Sequence, residues 1–114
     1  MGAVELDAED NKLVVLARAT RARTGAREGA ALRDRDGRTY AGATVDLPHL
    51  QVSATGVAIA MAVASGAKGA EALVVLGEQP VTEVDLAMVR DFAGPGVPVH
   101  AGTPAGTVTE TRET

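Results

Sequence analysis

Apolar and polar positions along the chain alternate in two different periods. Behind Asp7, the residues Leu13, Val14, Leu16 and Ala17 recur at helical spacing as far as about Arg23. Asp10 lies in the first turn and arginines in the last, as the helix dipole favours, so the pattern predicts a helix over 8–23. Two short runs follow, Gly29-Ala-Ala-Leu-Arg-Asp and Arg38-Thr-Tyr-Ala-Gly-Ala-Thr-Val, around Asp34-Arg-Asp36-Gly37. Asp-Gly supplies the positive φ of a tight turn, which predicts a β-hairpin. Residues 52–65 are rich in Ala and Val on every side and stop at Gly66, so the expectation is a helix buried nearly all round and closed by a glycine cap.

Residues 71–77 form a continuous apolar run of strand length, expected where both faces are covered. Over 82–93, Val84, Leu86, Met88, Val89 and Phe92 predict a helix with Thr82 as N-cap, Asp85 three positions on, and Gly94-Pro95-Gly96 as its stop. Residues 97–100 read as a short strand whose Pro98 points to a sheet edge or a strand end. The polar stretch 103–114 is expected to fray. Helix, hairpin, helix, strand, helix and strand in that order predict a three-layer α/β/α protein with a mixed sheet. One domain would occupy 1–101, with a polar, flexible tail over 102–114.

Composition adds a constraint on packing. Of 114 residues, 22 are Ala and 13 Gly, and Tyr40 and Phe92 are the only aromatics, so the core must be closed by small side chains. Two aromatic rings cannot make a base-stacking platform. With no cysteine, a disulfide scaffold, thiol catalysis and a thiolate metal site are excluded, and a cytoplasmic location is expected. The N-terminus is acidic without an apolar core segment, and the apolar stretch over 52–64 falls short of the roughly 20 residues that cross a bilayer, so neither a signal peptide nor a membrane span is expected.

Charge is unevenly spread: residues 1–40 carry eight basic and seven acidic groups, residues 41–114 three and eight. Arg18, Arg21, Arg23, Arg27, Arg33, Arg35 and Arg38 face only Glu28, Asp34 and Asp36 within their span. One reading is an anion-attracting patch for RNA or phosphate. The other, a solvated helix end plus an ion-paired hairpin turn, suits a chain whose net charge is −4 better, and nucleic acid is not the expected partner.

Candidate chemistry is sparse. His49 and His100 are the only imidazoles, and with Asp46, Asp85 or Asp91 they could assemble a His/carboxylate site. Asp46 and His49 align only on a helix, which Pro48 opposes; the plainer readings are His49 capping the next helix and His100 at an exposed strand end. Ser53 at a helix start has no histidine at an obvious spacing to serve as its base. The helices beginning near Ser53 and at Thr82 would offer free N–H groups, with the Thr55 and Thr82 hydroxyls, to a small polar ligand or phosphate. A core plugged there by Val81 and Val84 is the competing expectation. Gly25/Gly29 and Gly66/Gly69 fit no phosphate loop and read as turns.

Taken in order, Gly29-Ala-Ala-Leu, Asp36-Gly-Arg, Tyr40-Ala-Gly42, Val45-Asp46, Ser53-Ala-Thr55, Ala58 and Ala62-Val-Ala-Ser-Gly66 resemble the small cytidine deaminases. The family shows VGAAL, DG, a Gly-Cys-Asn-Val-Glu-Asn strand end, Cys-Ala-Glu at a helix start and an Ala-rich helix ending in Gly. Gln79-Pro80-Val81 with Val84 is similar to the family's Pro-Cys-x-x-Cys. The likeness runs over about 8–100. It implies a zinc held by His/Cys/Cys or three Cys, with a proton-shuttling Glu beside it. At the matching positions stand Ser53 for the first ligand, Val81 and Val84 for the others, and Thr55 for the Glu. Valine has no lone pair, serine is a poor zinc ligand at neutral pH, and threonine cannot take the proton. The ribose-contacting Asn becomes Thr44, whereas its neighbouring Glu keeps a carboxylate as Asp46.

The resemblance therefore implies a metal-free, cofactor-free and catalytically inactive relative. It would bind a nucleoside-like ligand through Thr44, Asp46, Ser53, Thr55 and Thr82, or serve as an interaction subunit, and would form a homodimer or homotetramer. An enzyme acting on another substrate, for instance through Asp46 with Thr55, and an RNA- or phosphate-binding accessory protein using the arginine cluster are the alternatives.

Overall fold

The computed structural model describes residues 3–114. Helix α1 spans Ala8–Thr24, and the Asp7 side chain accepts a hydrogen bond from the N–H of Asp10, satisfying one free donor of the first turn. Strands β1 (Gly29–Asp34) and β2 (Thr39–Ala43) form the expected hairpin. Its turn is built by Asp34, whose Oδ1 accepts from the N–H groups of Asp36 and Arg38 at 2.9 Å each, while Gly37 takes φ 86°. A second, smaller hairpin was not legible in the apolar pattern: β3 (Val45–Leu47) and β4 (Leu50–Val52) are three residues each and mostly exposed.

Helix α2 covers Ala54–Ala64, β5 Ala70–Leu76, α3 Glu83–Ala93 and β6 Pro98–Gly102. The stretch expected to fray instead contains β7, Val108–Glu113, paired antiparallel with β6. Its exposed and half-buried residues alternate, with Val108 joining Leu13 and Val14 of α1 and Arg112 reaching Glu83 of α3, a pattern that reads as a tail when taken for composition alone. Pro98 opens β6, which lies inside the sheet, so the strand-end reading holds.

The five main strands run β2-β1-β5-β6-β7, with β5 and β6 parallel and the other pairs antiparallel. Side chains of successive strand residues point to opposite faces, and each face has its own core. On one side Ala31, Ala72, Val74 and Leu76 pack with Leu13, Val14 and Ala17 of α1. On the other Leu32, Leu73, Val75 and Val99 pack with Ala54, Ala58 and Ala62 of α2 and Leu86 and Val89 of α3. The result is the three-layer α/β/α arrangement with a mixed sheet. Small residues set the layer spacing: a Cβ on Gly42 would lie 2.7 Å from the Ala58 nitrogen and 2.8 Å from the Ala54 carbonyl oxygen, so α2 rests directly on the strand backbone.

Burial all round fails for α2. Ala54, Thr55, Ala58 and Ala62 are buried, but Met61 and Val63 are about half exposed at 47% and 56%. A single sheet lies under α2 and α3 lies beside it, so the remaining face has no cover within the chain. The helix ends on Ser65 as its cap, with Gly66 at φ 88° just beyond. Among the described residues no helix is long and apolar enough to cross a membrane.

Candidate functional site

A cleft of about 520 Å³ opens where α2 begins. Its walls come from four places in the chain: the α1–β1 connection with Arg21, Arg27 and Glu28; the end of β2 and the β3–β4 hairpin with Thr44, Asp46 and Gln51; the α2 cap Ser53; and Glu78 and Gln79 after β5. The small hairpin therefore has a function in the architecture, since it supplies one wall. Thr44 ties that wall to the next by donating its N–H to the Glu28 carbonyl oxygen at 3.1 Å and accepting the Glu28 N–H on its hydroxyl at 3.0 Å.

At the floor, the Ser53 hydroxyl accepts from the Gly56 N–H at 3.0 Å and donates to Asp85 Oδ1 at 3.0 Å. Asp85 is buried in the first turn of α3, where the Thr82 hydroxyl accepts its N–H. One hydrogen bond thus joins the starts of α2 and α3. Beside it lies Glu28. Burial and the charge of Asp85 push its carboxyl above the ordinary range, against the N–H of Ala54 and the charge of Arg27, which favour ionisation. At the rim, Arg27 and Asp46 form an open ion pair at 4.0 Å, with side chains 80% and 64% exposed. Exposed pairs of this kind contribute little.

Of the residues predicted to bind a ligand, Thr44, Asp46 and Ser53 line this cleft, and Thr55 and Thr82 do not. Thr55 is wholly buried and its hydroxyl oxygen has no hydrogen-bond partner, while the Thr82 hydroxyl is used as the α3 cap. The cleft thus holds Asp46 without Thr55. Val81 is buried in the apolar core with Ala54 and Leu86, but Val84 is 67% exposed, so the expected plug consists of Val81 alone. Val84 sits one residue before Asp85 on a helix that turns Asp85 and Leu86 inward, which sends Val84 outward.

The histidines also depart from expectation. His49 lies exposed at the β3–β4 turn rather than capping α2, a role taken by Ser53. His100 is buried: Nε2 bonds Asp10 Oδ2 at 2.9 Å and Nδ1 bonds the Thr111 hydroxyl at 2.8 Å. Asp10 also accepts from Arg33 at 2.9 Å, and Arg33 from its other side reaches Glu71 at 2.8 Å. This cluster lies on the α1 side of the sheet. Among the described residues no group of three or more His, Cys, Asp or Glu is placed to hold a metal ion.

The arginines do not form one patch. Arg33 is held in that cluster, Arg35 donates to the Ala93 carbonyl oxygen, and Arg21 donates to the Arg27 carbonyl oxygen. Glu28 is, with Gln51 and Glu78, a cleft residue to which the sequence pattern assigned no site role. The available signal was its position: it precedes Gly29 where the deaminase run VGAAL opens on valine.

A family model described as cytidine deaminase-like matches residues 6–106. The chain belongs to the cytidine deaminase-like family. Among solved structures it is similar in fold to the cytidine deaminase of Burkholderia pseudomallei, with a TM-score of 0.75 and 23% identity over 90% of this chain and 89% of that one. The cytidine deaminase of Mycobacterium leprae gives a TM-score of 0.72 and 21% identity, covering 94% of each chain. That of Mycobacterium tuberculosis gives 0.71 and 20%, covering 82% of this chain and 85% of the other. No curated protein matches the sequence. For this cytidine deaminase-like chain, the zinc that family resemblance implies does not fit the residues at hand. Its matching positions hold the apolar Val81 and Val84, and Ser53, whose hydroxyl is already committed to Asp85 and Gly56.

Proposed function

We propose that this protein binds a nucleoside-like small molecule in the cleft at the start of α2 without deaminating it, as a metal-free member of the family in the cytoplasm. The observation that carries the reading is the Ser53–Asp85 hydrogen bond, which joins the two helix starts through side chains that are poor zinc donors or already engaged. Thr55 in the position of the proton-shuttling Glu removes general acid–base catalysis, which alone contributes about 10²–10⁴-fold. What supports binding is the cleft itself, large enough for a small ligand and lined by Thr44, Asp46 and Gln51 with the Arg21 and Arg27 guanidiniums at its edge.

The test combines three measurements on the purified chain. Absorbance-monitored incubation with cytidine and deoxycytidine is expected to show no turnover, and metal analysis no stoichiometric zinc. A thermal-shift screen of nucleosides and nucleotides is expected to give a hit, since a ligand at 100 times its dissociation constant adds about 2.7 kcal/mol to the folded state. Turnover with bound zinc would overturn the reading, and a flat screen would transfer the function to the exposed α2 face as an interaction subunit. That face, with Met61 and Val63, is the observation favouring self-association.

A further inference from the structure

One carboxylate of the cleft, Glu28, is not among the positions that the deaminase resemblance matches to a functional residue. Glu28 stands at the last position before β1, and its side chain passes below the end of β5. There Gly77 leaves the room: a Cβ at Gly77 would lie 2.9 Å from Glu28 Cγ and 3.3 Å from the Arg27 carbonyl oxygen. The N–H of Ala54 in the first turn of α2 favours the ionised form of Glu28, which lines the cleft, where a carboxylate offers only acceptors.

Apart from Arg21 and Arg27, which only donate and stand at the edge of the cleft, its remaining polar groups discriminate little. Ser53 is occupied by Asp85 and Gly56. Gln51 and Gln79 carry both a donor and an acceptor and can meet either kind of ligand edge. Asp46 and Glu78 are exposed, and their water competes with any partner. Glu28 is the half-buried group that, when ionised, only accepts. The charge of Asp85 opposes its ionisation and that of the exposed Arg27 only partly offsets it, so a ligand that brings hydrogen-bond donors there relieves repulsion as well as forming bonds. A carbonyl in the same place sets acceptor against acceptor.

We infer that Glu28 is the specificity-determining residue of the cleft, selecting a ligand that presents an amino or amidinium edge over one presenting a carbonyl at the same point. The inference rests on the nucleoside-binding reading but can be separated from it experimentally. Calorimetric titration of the full chain compares matched pairs that differ by amino against oxo: cytidine with uridine, adenosine with inosine, and the fragment pair benzamidine with benzamide.

The amino member is expected to bind about tenfold more tightly, the scale of one charge-assisted hydrogen bond. In Glu28→Gln the preference should collapse to within about twofold, because an amide serves either edge. Glu28→Val, which restores the apolar residue of the family run, should lose the preference too, and both variants should melt unliganded at the wild-type temperature or above. Equal binding within every pair, or a preference undiminished in Glu28→Gln, overturns the assignment. A Glu28-dependent preference for benzamidine with no nucleoside binding leaves Glu28 in its role and removes the nucleoside reading. Nucleoside binding with no preference does the reverse.

Discussion

Thr55 carries the least satisfied hydroxyl of α2: its side chain is fully buried at the start of the helix, and its hydroxyl oxygen has no partner. A buried polar group left unpaired costs about 1–3 kcal/mol, so the isosteric Thr55→Val should stabilise the protein by about 1 kcal/mol in chemical denaturation. A destabilised variant would mean that the hydroxyl does have a partner, a bound water or a ligand, and would return Thr55 to the site. Ser53 behaves in the opposite way, since every hydrogen bond it makes is internal: cap of α2 and link to α3. The Ser53 cap was legible in the sequence as a hydroxyl at a helix start, whereas Thr55, expected to meet a ligand, is buried, because side-chain direction on a helix start depends on which neighbour packs beneath it.

Between elements, the polar fastening of α1 to the sheet centres on one carboxylate, beside the apolar packing of Leu13, Val14 and Ala17. Asp10 joins the first turn of α1 to His100 of β6 and Arg33 of β1, with Thr111 of β7 behind the histidine and Glu71 of β5 beside the arginine. Burial pushes the Asp10 carboxyl up, but the hydrogen bonds from His100 and Arg33 outweigh it and hold the folded-state value below the ordinary 3.8. A carboxyl whose folded pKa is depressed adds stability that is fully present above the unfolded value and is lost as pH falls through the folded one. Stability is therefore expected to drop below about pH 4, and the drop should be shallower in Asp10→Asn, measured by urea denaturation across pH 2–7. At neutral pH the same variant should lose about 3–5 kcal/mol, because Arg33 and His100 keep their burial without the charge between them. Equal acid slopes in the two proteins would refute the linkage. The elements themselves were largely legible: α1, the Asp34–Gly37 turn, β5 and α3 follow from period, caps and turn residues. The β3–β4 hairpin, β7 and the burial of His100 were not, since short exposed strands carry no apolar period and a buried histidine is explained by partners on other elements, Asp10, 90 positions away, and Thr111 on β7.

Considered as a whole molecule, the chain leaves apolar surface uncovered on one side. Met61 and Val63 on α2 are about half exposed, and a shallow groove between α2 and α3 is lined by Ile59, Val63, Ala67, Met88 and Phe92. Lys68 and Asp91 stand at the same groove with opposite charge. A twofold interface matches one patch with itself, so Lys68 of one protomer would face Asp91 of its partner while the apolar floor is shared. A standard interface takes roughly 800 Å² from each partner, a modest share of a protomer surface of 6251 Å². Sedimentation equilibrium is expected to give a dimer or tetramer of the 11.6 kDa chain, and the double variant Met61→Asp, Val63→Asp to give a monomer that melts with an undiminished cooperative transition. Charge on that face meets water in a monomer and costs only the small penalty of carboxylates in the last turn of a helix, whereas it is prohibitive in an interface that excludes water. A wild-type chain sedimenting at 11.6 kDa across all concentrations would show that the surface is tolerated rather than used, and the cleft would then have to function without a second copy nearby.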